Sequence, residues 1–161
     1  MTRNTAREIA THLAYELNFT DKTVDELLDM RLSKEYFDSL SQEEALYREL
    51  PNAKQAEYIR RVVRGVDDHG PELDGYIAKY AKRWNFSRIP LVASAIMRVA
   101  MYEVLYMPDI PNSAAINEAV EISKKYISPE TVKFVNGILG SFVRQEVPEA
   151  REVPAAPETT E

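Results

Sequence analysis

Apolar residues recur at helical spacing along almost the whole chain, and alternating strand patterns are nearly absent. Ile9, Leu13 and Leu17 follow one another every four residues, and Thr5-Ala6-Arg7-Glu8 ahead of them reads as a capping box. Thr23-Val24-Asp25-Glu26 repeats the device before Leu27 and Leu28, and Ser41-Gln42-Glu43-Glu44 repeats it before a short segment ending at Pro51. A longer stripe of Ala56, Ile59, Val62, Val63 and Val66 predicts a helix from about Ala53 to Asp68, stopped by Gly70-Pro71. Leu73, Tyr76, Ile77, Tyr80 and Trp84 mark the next amphipathic helix, with a boundary from Ser87 to Pro90. Leu91 to Leu105 is apolar nearly all round, the pattern of a central buried helix. After the break at Asp109-Ile110-Pro111-Asn112, a helix capped by Asn112 or Ser113 runs to Tyr126. Ser128-Pro129 opens a last one, with Val132, Val135, Leu139 and Phe142 facing inward. The expected architecture is all-α, a bundle of about seven helices.

The size supports this. A chain of 161 residues suits one domain or two small subdomains sharing a core. The expected division is a helical body over 1–145, with an N-terminal group at about 1–86 and a C-terminal group at about 87–145. Residues 146–161 carry three prolines, no aromatic residue and five Glu against Arg151, the composition of a solvated acidic tail. The net charge is −6, of which the tail holds −4, which argues against bulk electrostatic coating of nucleic acid but leaves room for a local basic site on the body. No apolar run approaches the ~20 residues of a membrane helix, and the N-terminus lacks the apolar stretch of a signal peptide. The absence of cysteine excludes disulfides, thiolate metal sites and a thiol nucleophile, and a reducing cytoplasm is the expected compartment.

Catalytic signatures are missing. His12 and His69 sit in no ligand array, and there is no Gly-rich phosphate loop or nucleophile elbow. Three constellations point instead to binding. Arg3 and Arg7, four apart, can present two guanidinium forks to phosphate oxygens, either on one helix face or with Arg3 as a flexible arm. Ser128 to Phe134 combines a helix N-terminus, a phosphate-attracting end, with Lys133 and an aromatic one step off the inward stripe. Phe134 suits stacking on an unpaired base; packing against a neighbouring helix is the competing reading. The nine tyrosines, Tyr15, Tyr76, Tyr80 and Tyr102 among them, suit either a core edge or a protein interface.

Taken together, Met97-Arg98-Val99-Ala100-Met101-Tyr102-Glu103, then Ala115 to Lys124 (AINEAVEISK), then Lys133-Phe134-Val135-Asn136-Gly137-Ile138-Leu139 resemble the NusB family of bacterial transcription antitermination factors. Ala6-Arg7-Glu8 and Leu73-Asp74-Gly75 agree in order and spacing, and the resemblance spans roughly residues 2–144. It implies two helical subdomains, no catalytic activity and no cofactor. It also implies binding of single-stranded boxA RNA in ribosomal RNA leader transcripts, together with NusE, a small-subunit ribosomal protein. That assembly joins other Nus factors on RNA polymerase. Carried over residue by residue, the resemblance places Arg3, Arg7, Glu130, Lys133 and Phe134 at RNA and Tyr15 and Tyr80 at NusE. Asn4 and Thr5 thin the family's arginine-rich start, and Ala93 stands where some members carry a partner-facing glutamate. The alternatives are a helical protein adaptor or homodimer without RNA binding, and the NusB-like module that precedes ribosomal RNA cytosine methyltransferase domains. The second lacks both its α/β domain and its cysteine here.

Overall fold

The computed structural model describes residues 1–82 and 88–147. Eight α-helices occupy them: α1 (Arg3–Glu16), α2 (Val24–Arg31), α3 (Lys34–Leu40), α4 (Ala53–Asp68), α5 (Gly70–Tyr80), α6 (Leu91–Tyr106), α7 (Asn112–Tyr126) and α8 (Pro129–Glu146). A 3-10 turn, Ala45–Tyr47, lies between α3 and α4, and there is no strand among the described residues. No described helix is long and apolar enough to cross a membrane. Trp84, the boundary at Ser87, the division at 86/87 and residues 148–161 of the acidic tail fall outside the described residues.

Local chemistry explains most of the helix ends. The Thr23–Glu26 capping box is formed at α2, and Asn52 with Gln55 makes a second one at α4 that the sequence reading passed over. The other two expected boxes are not made. α1 starts earlier, with Thr2 accepting from the Thr5 amide at 3.1 Å, which leaves Glu8 free for a distant partner. Ser41 instead ends α3, its hydroxyl donating to the Asp38 carbonyl, so the expected helix before Pro51 shrinks to the 3-10 turn. Neither Asn112 nor Ser113 caps α7, whose N-cap is Pro111; the Asn112 side-chain amide is buried without a hydrogen-bond partner among the described residues. α3 is the helix by which the structure exceeds about seven.

α6 is the hub. It packs against α1 and α4 on one side and α7 and α8 on another, with α5 also against it. Its Ala93, Ile96, Met97, Ala100, Met101 and Val104 are at most 1% exposed. α4 approaches α6 closely at Gly65, where a Cβ would fall 2.0 Å from the Tyr102 ring. α2 is tied down by ion pairs, Arg31 to Glu16 of α1 and Arg60 and Arg64 of α4 to Asp29 and Asp25.

One charged pair sits inside this apolar packing. Arg7 of α1 is 1% exposed and Glu103 of α6 is 0% exposed. The guanidinium donates twice to the carboxylate, Nε to Oε1 at 2.9 Å and Nη2 to Oε2 at 3.1 Å. Tyr58 of α4 donates to the same Oε2 at 2.7 Å, so three helices meet at one carboxylate. Burial, and next the charge of Glu103, push the Tyr58 hydroxyl well above its ordinary pKa, so it stays a donor.

Two stability outcomes follow. Glu103→Ala leaves the Arg7 charge buried and is expected to cost about 3–5 kcal/mol in urea unfolding, whereas Arg7→Met with Glu103→Met and Tyr58→Phe, which removes all three partners together, recovers most of that loss. Gly65→Ala forces the Tyr102 ring aside and is expected to cost about 1–3 kcal/mol, read as a lowered Tm.

Candidate nucleic-acid interface

The turn between α7 and α8 is the natural place to build a site, because it carries three of the expected residues. Ser128 caps α8, accepting from the Thr131 amide at 3.2 Å, and Pro129 supplies the first helical position. This changes the anion-binding expectation: proline has no N–H, and the Thr131 N–H is taken by the cap. Of the first-turn amides, that of Glu130 alone is left without a hydrogen bond among the described residues, and side chains must supply the rest of any attraction for phosphate. Lys133 and Glu130 are exposed, and Phe134 is half-buried against the core, offering part of its ring. Just before the turn stand Lys124 and Lys125, 57% and 60% exposed, and Tyr126, 41% exposed. The sequence reading missed these three. Their signal was a Lys-Lys-Tyr run next to a helix boundary, cations beside an aromatic.

The opening helix reaches this turn through Glu8. Lys125 donates to Glu8 Oε1 at 2.8 Å and Tyr126 to Oε2 at 2.5 Å, only three residues before Pro129. His12, one turn along α1, holds Tyr126 through Nε2 at 2.7 Å and Tyr47 through Nδ1 at 2.8 Å. Burial lowers the His12 pKa, an effect that Glu8 and Glu44 partly oppose. Burial and the bond to Glu8 raise that of Tyr126.

The two arginines are on one face, as the first of the two expected arrangements has it, but that face looks inward. Arg7 is corrected from a phosphate fork to a structural residue, because its guanidinium is buried on Glu103 and on Asn4 at 2.7 Å. Arg3 is half-buried, its guanidinium 4.7 Å from the centroid of the Tyr58 ring, and is not a flexible arm. Among the expected RNA residues, the turn thus groups Glu130, Lys133 and Phe134, while Arg3 lies against α4.

The expected partner residues lie elsewhere. Tyr15 is 36% exposed near the end of α1, its ring 5.1 Å from that of Phe19, which is 62% exposed. Arg98 of α6 pairs with Asp74 of α5 at 2.6 Å and reaches Asn18, placing the end of α1 beside α5. Tyr80, at the end of α5, is half-buried and donates to Glu146 of α8. Ala93 is fully buried, so this position offers nothing to a partner. Neither histidine joins a metal cluster among the described residues: His12 is held by tyrosines, and His69 stacks on Tyr106 at 4.3 Å.

Comparison with known proteins supplies the family. The NusB family model matches residues 4–144. The chain belongs to the NusB family. It is 40% identical over 144 residues to a transcription antitermination protein NusB of Acetivibrio thermocellus, covering 89% of this chain and 90% of that one. It is 38% identical over 150 residues to that of Carboxydothermus hydrogenoformans, covering 92% and 96%. Among solved structures, T. maritima NusB superposes with a TM-score of 0.77 at 28% identity, covering 94% of this chain and 96% of that chain. A chain from a complex of antitermination factors NusB and NusE with dsRNA matches in fold, with a TM-score of 0.65 at 21% identity and coverage of 88% and 96%.

Proposed function

We propose that this protein is a non-catalytic, cytoplasmic transcription antitermination factor. It binds boxA RNA through the α7–α8 turn and acts with NusE, as part of an assembly on RNA polymerase. The observation that carries this reading is the grouping of Lys124, Lys125, Lys133 and half-buried Phe134 around one turn of an otherwise acidic protein. The relatives' name, transcription antitermination protein, and the solved NusB–NusE–dsRNA complex support it. Tyr15, with its exposed neighbour Phe19, and Tyr80 form the proposed NusE side.

The strand preference follows from the aromatic. Phe134 can stack only on a base that is out of a duplex, so single-stranded boxA is the favoured form, and the dsRNA in the solved complex makes duplex the proper competitor. The lysines act as point charges on phosphates. Two to four such contacts give a single-strand salt slope of about −1.5 to −3 in log K against log salt. Binding by the chain alone is therefore weak, and a basic partner that extends the surface tightens it.

Titration of boxA RNA at two salt concentrations, with and without NusE, tests this. The expected result is a slope in that range, tightening with NusE, and poor competition by duplex of the same sequence. No gain from NusE would refute the joint reading, and sedimentation as a dimer without RNA affinity would favour the adaptor instead. Phe134→Leu keeps most of the packing but removes the flat ring. It is expected to weaken RNA binding by about 1–3 kcal/mol with circular dichroism unchanged.

A further inference from the structure

We propose that the cleft between α1 and the turn after α3 receives an arginine side chain of the protein partner, laid against Tyr15 and Phe19 and paired with Glu43 and Glu44. This rests on the NusE reading above and goes beyond it, because it names the chemistry by which the partner docks.

The cleft, of about 450 Å³, has two built walls. On one side the turn after α1 is closed by the Asn18 amide donating to the Tyr15 carbonyl at 3.1 Å and the Phe19 amide to that of Glu16 at 2.9 Å. The Phe19 ring, edge-on to Tyr15, is left 62% exposed, the most of any large apolar side chain among the described residues. On the other side the amides of Glu43 and Glu44 both donate to the Leu40 carbonyl, at 3.1 and 2.9 Å, and this turn sets their exposed carboxylates on the same cleft.

The chain shows in its own packing what such a lining accepts. Arg31 lies with its guanidinium 4.6 Å from the centroid of the Tyr36 ring and donates to both oxygens of Glu16, at 3.0 and 2.5 Å. Tyr36 and Glu16 line this cleft too, so one aromatic face and one carboxylate already hold a guanidinium there. Tyr15 and Phe19 with Glu43 and Glu44 repeat the combination. No cation among the described residues answers them: Glu43 and Glu44 make no ion pair, Arg31 is committed to Glu16, and Lys125 to Glu8.

Charge decides the occupant. Two unpaired carboxylates repel a phosphate backbone, so RNA does not suit the cleft, and a purely apolar segment would cover the carboxylates without pairing them. A guanidinium satisfies both walls, its plane on a ring and its edge on the acids, whereas a lysine ammonium is a hydrated point charge that gains less from the rings. Tyr15 belongs to this cleft and to the proposed NusE side, so the two surfaces are continuous.

The test is calorimetric titration of NusE into the full chain at two salt concentrations. Glu43→Gln with Glu44→Gln is expected to weaken NusE about fivefold and to flatten the salt dependence. Phe19→Ala is expected to weaken it about tenfold, with Tm nearly unchanged because the ring is exposed. Replacing the arginines of NusE by glutamine one at a time should find one whose loss of affinity disappears when the double variant is the partner. NusE bound equally by wild type and the double variant overturns the inference and leaves the partner reading standing. A loss in Phe19→Ala alone, marking an apolar occupant, overturns it as well, as does an arginine scan that stays additive throughout. A boxA RNA affinity that rises in the double variant as much as NusE affinity falls would put RNA in the cleft and overturn it too. No binding of NusE by wild type removes the partner reading and this inference together.

Discussion

The bidentate pair of Arg7 and Glu103 fixes the rotation of α1, and the rest of the functional end depends on that rotation. Successive helical residues are about 100° apart, so turning Arg7 inward commits the whole helix. Asn4 and Thr11, a turn away on either side, are drawn to the same face. Asn4 receives Arg7 Nη1, and the Thr11 hydroxyl donates back to the Arg7 carbonyl at 2.9 Å. Glu8 and His12 are thereby carried round to α7, and Tyr15 to the outside. Apolar helix faces tolerate small rotations, whereas a planar fork on a carboxylate does not. A buried pair of this kind adds little net stability, and its physical value is registry.

That registry accounts for the assembly of the proposed RNA site at the α7–α8 turn with Arg7 buried away from it. α1 acts as a scaffold: its Glu8 gathers Lys125 and Tyr126, and the chain turns into α8 three residues later. The Ser128 cap keeps α8 starting at that point. A carboxylate beneath Lys125 is not a contradiction in the proposed site for anions. Lys125 keeps a 60% exposed side chain while Glu8 is almost wholly covered, so the positive group faces solvent and the negative one does not.

Much of the fold was legible because helices advertise themselves locally. The period of Ile59, Val62, Val63 and Val66 and the all-round apolar run of α6 both became buried faces. The Thr23 box was made, yet the same signature at Thr5 and at Ser41 was not. A capping glutamate offers only a local hydrogen bond, and Glu8 found two donors on α7 instead. Arg7 was misread for a related reason. Its spacing from Arg3 correctly indicated a shared face, but nothing local reveals that the face meets a buried carboxylate 96 residues away. Glu103, an acid in the otherwise apolar central helix, was the available clue. The lysines before the turn were overlooked because the reading began at Ser128, where the motif begins, rather than at the turn, where the surface does.

Burying the arginine also bears on how RNA would be discriminated in the proposed complex. Arginine binds phosphate with a rigid fork that fixes orientation, whereas lysine is a flexible point charge that holds a strand without fixing it. A site whose exposed cations are Lys124, Lys125 and Lys133 therefore anchors the backbone loosely. Sequence preference must then come from groups that meet the bases, since backbone contacts carry none. Phe134 offers a plane for any base, but it does not select among them. In the proposed complex Glu130 would: an exposed carboxylate in the first turn of α8 can accept from a base amino group and repels a phosphate, rewarding a strand that turns an amino-bearing base edge toward it. The acidic residue in the site is on this account its most selective member, and the lysines around it are what allow a negative strand to approach.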